Sequence, residues 1–223
     1  MSKQKNGVFR SQVSDDFAAM MEQFFSVRCR YEAAVREIRT KLEILDLEFE
    51  MKHSRNPIHH MNSRLKSFPS AIDKMKRKGL PVTIADMTEA LTDIAGVRVV
   101  CSYIDDVYAV AELLTCQDDI RVVRIRDYIK EPKENGYRSL HLIVEIPVFL
   151  QQGKIHVPVE VQIRTIAMDM WASLEHQLRY KGLSDVPADI SAELQAAADD
   201  LANLDQRMKS IHQRVSQLPD ATT

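Results

Sequence analysis

The sequence predicts an α+β, or mixed α/β, fold in which a mixed β-sheet is flanked by helices, with a long helix near each end of the chain. Two central segments alternate apolar and polar residues with a period of two, which is typical of strands that bury one face. From about Ser14 to Glu50 there is no Pro or Gly, and apolar residues recur at helical spacing. Since strand-like and helix-like segments interleave, we expect one mixed domain with helical extensions and not a helical bundle.

Both predicted terminal helices have an apolar stripe. The first stripe comprises Tyr31, Val35, Ile38, Leu42, Leu45 and Phe49. The second lies between Ser191 and Leu218 and comprises Leu194, Leu201, Leu204, Met208, Ile211, Val215 and Leu218. Spacings of three and four give both helices heptad character. Two interpretations stay open for each stripe: it packs on the protein's own core, or it forms an interface between subunits.

The segments between these helices predict the central elements in order. They are a helix from about Thr83 to Leu91, a buried strand from Gly96 to Tyr103, a helix from Asp105 to Leu114, a strand from Ile120 to Ile125, strands from Ser139 to Ile146 and from Ile155 to Ile163, and a helix from Ala167 to Tyr180. The last two strands, joined by a turn near Gly153, are expected to form an antiparallel hairpin. Gly182 marks the expected end of the helix that follows them.

The composition excludes several classes of protein. Thirty Lys and Arg residues against 32 Asp and Glu give a formal net charge of -2, so the chain as a whole lacks the positive charge of a duplex-coating protein. The three cysteines have no CxxC spacing, which argues against a zinc site or a disulfide framework and favours a reducing, cytoplasmic setting. No apolar run is long enough for a signal-peptide core or a membrane span.

A basic stretch from Lys52 to Lys78 is the main candidate for binding phosphate groups. The six glycines form neither GxGxxG nor GxxxxGK[ST], so phosphates would have to be bound by side chains. The cations of the stretch are Lys52, Arg55, Arg64, Lys66, Lys74, Lys76, Arg77 and Lys78, against the acid Asp73. A polyphosphate requires such groups. A solvated basic face and an RNA-contacting patch are the alternatives.

Two acids stand out because each adjoins an apolar strand. An ionised group there is costly unless it is paired or binds a metal, and Mg²⁺ takes one or two carboxylates plus substrate phosphates, so Asp93 and Glu160 are candidate ligands. A surface or salt-bridged acid is the alternative for either one. Glu160, Gln162 and Arg164 also share one face of a predicted strand, and three polar groups on one face favour a functional site.

The preceding strand segment adds an aromatic ring and an imidazole. Tyr137, Ser139 and His141 are spaced to share a face, and a ring next to Gly136 can lie flat against a base. A core aromatic and a structural histidine are the alternatives. Asp169, one turn into the next helix, could accept hydrogen bonds from guanine, or it could simply interact with the positive end of the helix dipole.

Several ordered motifs together resemble the small alarmone synthetases of the Rel family, in particular the RelP-type branch. The resemblance extends from about Asn56 to Lys181. Its motifs comprise Asp93 to Arg98; Arg126 to Ile129, followed by Lys133, Asn135 to Ser139 and His141; and Glu160, Gln162 to Thr165 and Trp171. The resemblance implies a nucleotidyltransferase-like sheet and division of the chain into a helical extension (1–55), a (p)ppGpp synthetase domain (56–182) and a C-terminal helix with a short tail (183–223).

The resemblance also implies an activity and a role for each candidate residue. The activity is transfer of the β,γ-pyrophosphate of ATP to the 3'-hydroxyl of GDP or GTP, giving ppGpp or pppGpp and AMP. The implied ATP-binding residues are Arg64 and Arg98 beside the adenine and Lys66, Lys74 and Arg77 on the phosphates. The implied acceptor-binding residues are Tyr137 stacked on guanine, Lys133, Asn135, His141, Gln162 and Asp169 around it, and Arg126 near its phosphates. Asp93 would coordinate Mg²⁺, and Glu160 would be a metal ligand, the base towards the 3'-hydroxyl, or both.

The resemblance further implies the setting in which the protein works. The chain contains no His-Asp dipeptide, so we expect synthesis without the hydrolase activity of the long Rel enzymes. Short synthetases of this kind are typically tetramers built through their terminal helices, which favours the interface interpretation of the stripes. The alternative function is a catalytically inactive nucleotide- or RNA-binding module on the same fold.

Overall fold

The computed structural model describes residues 3–53, 55–180 and 187–217 and confirms the mixed α/β prediction. The helices are α1 (Lys3–His53), α2 (Phe68–Arg77), α3 (Ile84–Ala90), α4 (Ile104–Thr115), α5 (Ile166–Tyr180) and α6 (Ala188–Val215). The strands are β1 (Ile58–Leu65), β2 (Ala95–Cys101), β3 (Arg121–Asp127), β4 (Leu140–Leu150) and β5 (Gly153–Thr165). Gly182 and Leu218, on which two predictions depend, lie outside the described residues.

The five strands form one mixed sheet in the order β1-β2-β5-β4-β3. β2 and β5 are parallel, and the other neighbouring strands are antiparallel. The predicted hairpin is confirmed, because β4 and β5 pair from Leu140 opposite Ile163 to Leu150 opposite Gly153. Gly153 has a φ of +115°, a conformation that favours glycine in the turn.

One face of the sheet is buried, mainly beneath α1. Leu142 and Val144 of β4 and Val159, Val161 and Ile163 of β5 lie in the main hydrophobic core. The α1 stripe joins this core, since Tyr31, Val35, Ile38 and Leu42 are all buried. The own-core interpretation is therefore confirmed for the first part of this stripe, and the side chains that alternate with the buried strand residues face the other side of the sheet.

The stripe of α6 has a different environment. Leu194 and Leu201 pack against a small second core of Trp171, Ala172 and Ala198. Leu204, Met208, Ile211 and Val215 are exposed by 43% to 58%. Within the part of the chain that the structure describes, the first half of the α6 stripe is therefore packed and the second half is exposed. No helix in the described ranges has the length and apolar character needed to cross a bilayer.

The sequence patterns missed one strand and misplaced the start of another. β1 lies inside the basic stretch, where no strand was predicted, and α2 follows it in the same stretch. β4 begins at Leu140, so Tyr137 lies in the preceding loop and not on the strand. Ser139, which also precedes the strand, is fully buried, and its hydroxyl donates to the Ile163 carbonyl. Tyr137 and Ser139 are therefore not strand residues as predicted, although both side chains contact Arg164 and Tyr137 also contacts His141.

Candidate active site

The open face of the sheet has two rows of residues that cross the strands. Cross-strand partners share a face of the sheet. The first row is Asn62, Arg98, Gln162, His141 and Arg126, from β1 to β3. The second row is Arg64, Gly96, Glu160, Ile143 and Arg124. Strand register thus brings together residues of all three sequence motifs, which are far apart in the chain.

A cavity of about 250 Å³ opens on the β1-β2-β5 part of this face. It is lined by Asn62, Ser63, Arg64, Asp93, Gly96, Val97, Arg98, Glu160 and Gln162. Gly96 leaves the floor open, because a Cβ there would only reach ordinary contact with Arg64, 3.8 Å from its Cγ, and a longer side chain would extend into the space. Two carboxylates and two arginines are thus among the groups that line one cavity.

Asp93 lies at one side of the cavity between two lysines. Its Oδ2 is 2.6 Å from the Lys74 ammonium and 3.1 Å from that of Lys66. Burial alone would raise the pKa of Asp93, but the hydrogen bond from Lys74 and the charge of Lys66 outweigh burial, so the pKa lies below its ordinary value. The carboxylate is therefore ionised at neutral pH, and these two lysines of the basic stretch point to the site and not to solvent.

Glu160 lies on β5 between two polar neighbours. Its Oε2 accepts a 2.9 Å hydrogen bond from the Gln162 amide, and its Oε1 lies 3.2 Å from His141 Nδ1. Burial and the charge of Asp93 each raise the pKa of Glu160. The hydrogen bonds from His141 and Gln162 and the charge of His141 have a larger, opposite effect, so the pKa of Glu160 lies below its ordinary value. An ionised Glu160 thus faces the same cavity as Asp93, close enough for their charges to interact.

Arg164 joins the residues around Tyr137 into one network. This side chain is buried, and it donates to Ser139 Oγ, Gln162 Oε1, Asp169 Oδ1 and the hydroxyl of Tyr137. The Tyr137 hydroxyl also lies 2.8 Å from His141 Nε2, and the other ring nitrogen of that histidine reaches Glu160. A continuous chain of polar contacts therefore runs from the predicted base platform to the predicted catalytic glutamate.

Asp169 is held by two arginines. Its Oδ1 lies 3.2 Å from Arg164 and 3.3 Å from Arg98. Burial and the nearby charge of Arg164 lower the pKa of Arg98, although a guanidinium remains charged at any physiological pH. The Asp169 carboxylate thus connects an arginine of the cavity with the Tyr137 network, and a contact with guanine would have to compete with these ion pairs.

The loop of residues 133–138 forms the side of the site next to β4. Gly136 has a φ of +85°. Across the turn, the Lys133 N–H donates to the Tyr137 carbonyl, and the Gly136 N–H donates to the Lys133 carbonyl. The Lys133 ammonium lies 4.6 Å from the centre of the Tyr137 ring. Asn135 accepts from the Tyr137 amide and donates to Glu175. Since Lys133 is exposed, its ammonium can move away from the face of the Tyr137 ring.

The structure places the predicted site residues in two adjoining groups. Arg64, Asp93, Arg98, Glu160 and Gln162 line the cavity, and Lys66 and Lys74 contact it through Asp93. Lys133, Asn135, Tyr137, His141 and Asp169 lie around the Tyr137 network, and Arg126 pairs with His141 across the strands. Arg77, the last residue of α2, is exposed and is not part of the cavity lining.

Sequence reasoning assigned no role to two residues of this site, Asn62 and Arg164. Asn62 was missed because β1 is an edge strand with few buried residues, and its polar sequence has no apolar alternation. Arg164 was noticed as a member of the Glu160 face but not as the centre of a network. The signal in the sequence is that Arg164 follows Glu160 and Gln162 at a spacing of two in an otherwise apolar strand, where a charged side chain is costly unless it has partners.

The donor set fits a hard divalent cation. Within the described residues, the Oδ1 atom of Asp93 is buried and has no hydrogen-bond partner. A buried carboxylate oxygen without a partner is costly, and a bound cation would satisfy it. The described residues contain no group of three or more His, Cys, Asp and Glu side chains in metal-binding arrangement. Two carboxylates completed by substrate phosphates match the coordination typical of Mg²⁺.

Comparison with known proteins identifies close relatives of the chain. Residues 63–185 match the family model described as the region found in RelA/SpoT proteins. The GTP pyrophosphokinase YwaC of Bacillus subtilis is 46% identical over 90% of this chain and 96% of its own length. YjbM of the same organism, also a GTP pyrophosphokinase, is 39% identical over 84% of this chain and 87% of its own.

Solved structures agree with these relatives in both fold and sequence. The small alarmone synthetase 1 of Bacillus subtilis, bound to its product pppGpp, has a TM-score of 0.81 at 37% identity, over 88% of this chain and 100% of that one. The small alarmone synthetase 2 of the same organism has a TM-score of 0.78 at 44% identity, over 86% of this chain and 98% of that one. At this coverage, the similarity extends over most of the chain.

Proposed function

The chain belongs to the RelA/SpoT family, and we propose that it is a GTP pyrophosphokinase that transfers the β,γ-pyrophosphate of ATP to the 3'-hydroxyl of GDP or GTP. The products are AMP and ppGpp or pppGpp. The observation that best supports this proposal is the pair of ionised carboxylates, Asp93 and Glu160, in one cavity with arginines and lysines around them. A site that only binds a polyanion gains little from two acids facing it, whereas pyrophosphoryl transfer needs them.

The cavity between β1, β2 and β5 is the proposed ATP site. Arg64 and Arg98 line it and provide guanidinium planes that can lie against adenine. Lys66 and Lys74 project from the segment after β1 and from α2 towards Asp93, and Arg77 is on the same helix as Lys74. These cations would neutralise the phosphates of ATP during transfer.

The Tyr137 network is the proposed acceptor site. Tyr137 would stack on guanine, with Lys133, Asn135, His141, Gln162 and Asp169 around the nucleotide and Arg126 near its phosphates. Arg164 supports this arrangement because it anchors the hydroxyl of Tyr137 and the amide oxygen of Gln162 at the same time. The acceptor would then lie next to Glu160, on the side away from the ATP-binding cations.

Glu160 is the proposed base towards the 3'-hydroxyl. Its low pKa keeps the carboxylate ionised, and His141 and Gln162 hold the side chain in one orientation. Asp93 and Glu160 are the residues that would hold Mg²⁺, which supplies charge neutralisation on the phosphoryl oxygens. Asp93 has the free oxygen for this role, because its other oxygen is bound by both lysines.

The assembly and setting are also proposed from these features. Residues 56–182 would form the synthetase domain, and 1–55 and 183–223 the helical extensions. The exposed half of the α6 stripe, from Leu204 to Val215, is suited to an interface with other copies, in accord with a homotetramer. Light scattering after size exclusion tests this assembly. A protein that uses ATP and guanine nucleotides would act in the cytoplasm.

One assay tests the proposed function directly. The protein is incubated with ATP, Mg²⁺ and either GDP or GTP, and the nucleotides are separated by anion exchange. We expect release of AMP together with a guanosine nucleotide that has two more phosphates, and loss of both products when EDTA is added. Binding of both nucleotides without any product would instead support the inactive binding module, and contradict the proposal.

Replacement of Tyr137 tests the acceptor site. We expect Tyr137→Ala to raise the KM for GDP by about ten-fold or more, because stacking of a base on an aromatic ring contributes ~1–3 kcal/mol. The KM for ATP should change little. Tyr137→Phe is the matched control, since it keeps the ring and removes only the hydroxyl that contacts His141 and Arg164. Equal GDP affinity in the alanine variant and the wild type would rule out stacking.

A further inference from the structure

The first half of α6 lies directly behind the 133–138 loop. The two segments are about sixty residues apart in sequence. Tyr137 packs against the small second core, which consists of Trp171 and Ala172 of α5 and Ala198 of α6. The Tyr137 ring, which is proposed to stack on guanine, is therefore packed against residues of α5 and α6.

Arg138 fastens the loop to this helix. Its Nη1 donates to the Gly136 carbonyl at 3.1 Å and to the Ala198 carbonyl at 3.2 Å, and its Nη2 donates to Asp199 Oδ1 at 2.8 Å. The Arg138 side chain is only 16% exposed. One guanidinium thus joins a carbonyl of the loop with a carbonyl and a carboxylate of α6, a geometry that the planar fork of arginine provides and an ammonium does not.

Gly136 allows the close approach of the loop to α6. A Cβ at this position would lie 2.6 Å from Ala198 Cβ and 3.4 Å from Gln195 Cα. The first distance is too short for two carbon atoms, so the absence of a side chain at 136 and the small side chain at 198 are both needed for this contact. The contact is specific in shape as well as in hydrogen bonding.

Two further hydrogen bonds hold α6 in register with the end of β5 and with α5. Trp171 Nε1 donates to the Leu194 carbonyl at 2.9 Å. The Thr165 hydroxyl donates to the buried Asp205 carboxylate at 2.6 Å. Thr165 follows Arg164 directly, so α6 is attached to the strand end that orients the Tyr137 network. α6 therefore contacts both the 133–138 loop and the strand end that orients the Tyr137 network.

We propose that α6 positions the 133–138 loop for the acceptor nucleotide, and that Arg138 is the positioning residue that connects them. This inference rests on the proposed function, because it assigns the loop to GDP or GTP. Neither Arg138 nor Ala198 contacts the reacting atoms in this proposal. Both act through Tyr137, whose ring can stack on guanine only if the loop is held against α6.

A larger side chain at position 198 is the test. We expect Ala198→Leu to push the loop away from α6 and to raise the KM for GDP by about ten-fold, with the KM for ATP and kcat at saturating GDP changed little. Ala197→Leu is the matched control, because Ala197 is the preceding residue on the same helix and is exposed. Arg138→Met, which keeps an unbranched apolar stem without the fork, should reproduce the effect without a steric clash.

The outcomes separate this inference from the proposed function. If the wild type forms no product from ATP and GDP, the proposed function fails. Suppose instead that the wild type is active and that the KM for GDP of Ala198→Leu and of Arg138→Met equals that of the control Ala197→Leu. In that case the proposed function stands, and the positioning role of α6 and Arg138 fails. An equal loss of GDP and ATP affinity in these variants, with a lower melting temperature, would show that α6 supports the fold in general and would also overturn the proposal.

Discussion

Replacement of Glu160 by Gln should lower kcat by about a thousand-fold or more while both nucleotides still bind. The substitution keeps the shape of the side chain and a carbonyl oxygen that can accept the hydrogen bond from Gln162. It removes the negative charge and the ability to accept a proton, and a positioned general base contributes ~10²–10⁴-fold to a rate. Loss of a metal ligand adds to this effect. The measurements are kcat for AMP release and the affinities for ATP and GDP.

Glu145→Gln is the matched control for this substitution. Glu145 is on β4, two positions beyond Ile143 on the same face of the sheet, and its carboxylate pairs with Arg121 outside the cavity. We expect nearly wild-type turnover from this variant, since exposed ion pairs contribute little. A Glu160→Gln enzyme with substantial kcat would show that neither base catalysis nor metal binding depends on this residue. A large loss of binding would mark Glu160 as a structural residue.

The strands β4 and β5, which carry part of the candidate site, could be predicted from the sequence because each has one buried face and one polar face. In β5, Val157, Val159, Val161 and Ile163 are buried, and the residues between them face the open side. The same alternation made Glu160 visible as an acid at a costly position. Hydrophobic burial creates the pattern, so the pattern is strong exactly where the strand lies over the core of the protein.

The side of the candidate site formed by β1 and α2 could not be located in the same way. β1 is at the edge of the sheet, and most of its residues are exposed, so no apolar alternation marks it. The cations of the basic stretch were visible, but their targets were not. Lys66 and Lys74 reach Asp93 because an edge strand and a helix N-capped by Ser67 bring them there, and these are contacts of the tertiary structure.

The two interpretations of the terminal stripes illustrate another limit of sequence patterns. α1 and α6 show similar heptad spacing, but Ile38 and Leu42 are fully buried on the sheet whereas Met208 and Ile211 are exposed. Periodicity reports that a helix has an apolar face. It does not report what covers that face, because the same stripe suits the protein's own core and a second subunit.

Replacement of Asp93 by Asn should lower turnover by about three orders of magnitude at ordinary Mg²⁺ concentrations. The substitution removes the charge that a divalent cation requires, and a catalytic metal contributes several kcal/mol of charge stabilisation. We expect a strong increase in the Mg²⁺ concentration needed for half-maximal rate. Metal-free binding of ATP should stay the same or become tighter, because Lys66 and Lys74 would no longer be paired with a carboxylate and could bind the phosphates instead.

The metal-free measurement decides between two roles of Asp93. If Asp93 only anchors the two lysines, its loss would release both side chains, and ATP binding would weaken equally with and without Mg²⁺. If it holds the cation through its unpaired oxygen, the loss should appear only when Mg²⁺ is present. The melting temperature of the variant is the control, because it shows whether loss of the ion pairs with Lys66 and Lys74 destabilises the fold. A variant that keeps the Mg²⁺ dependence of the wild type would exclude Asp93 as a metal ligand, whatever its effect on kcat.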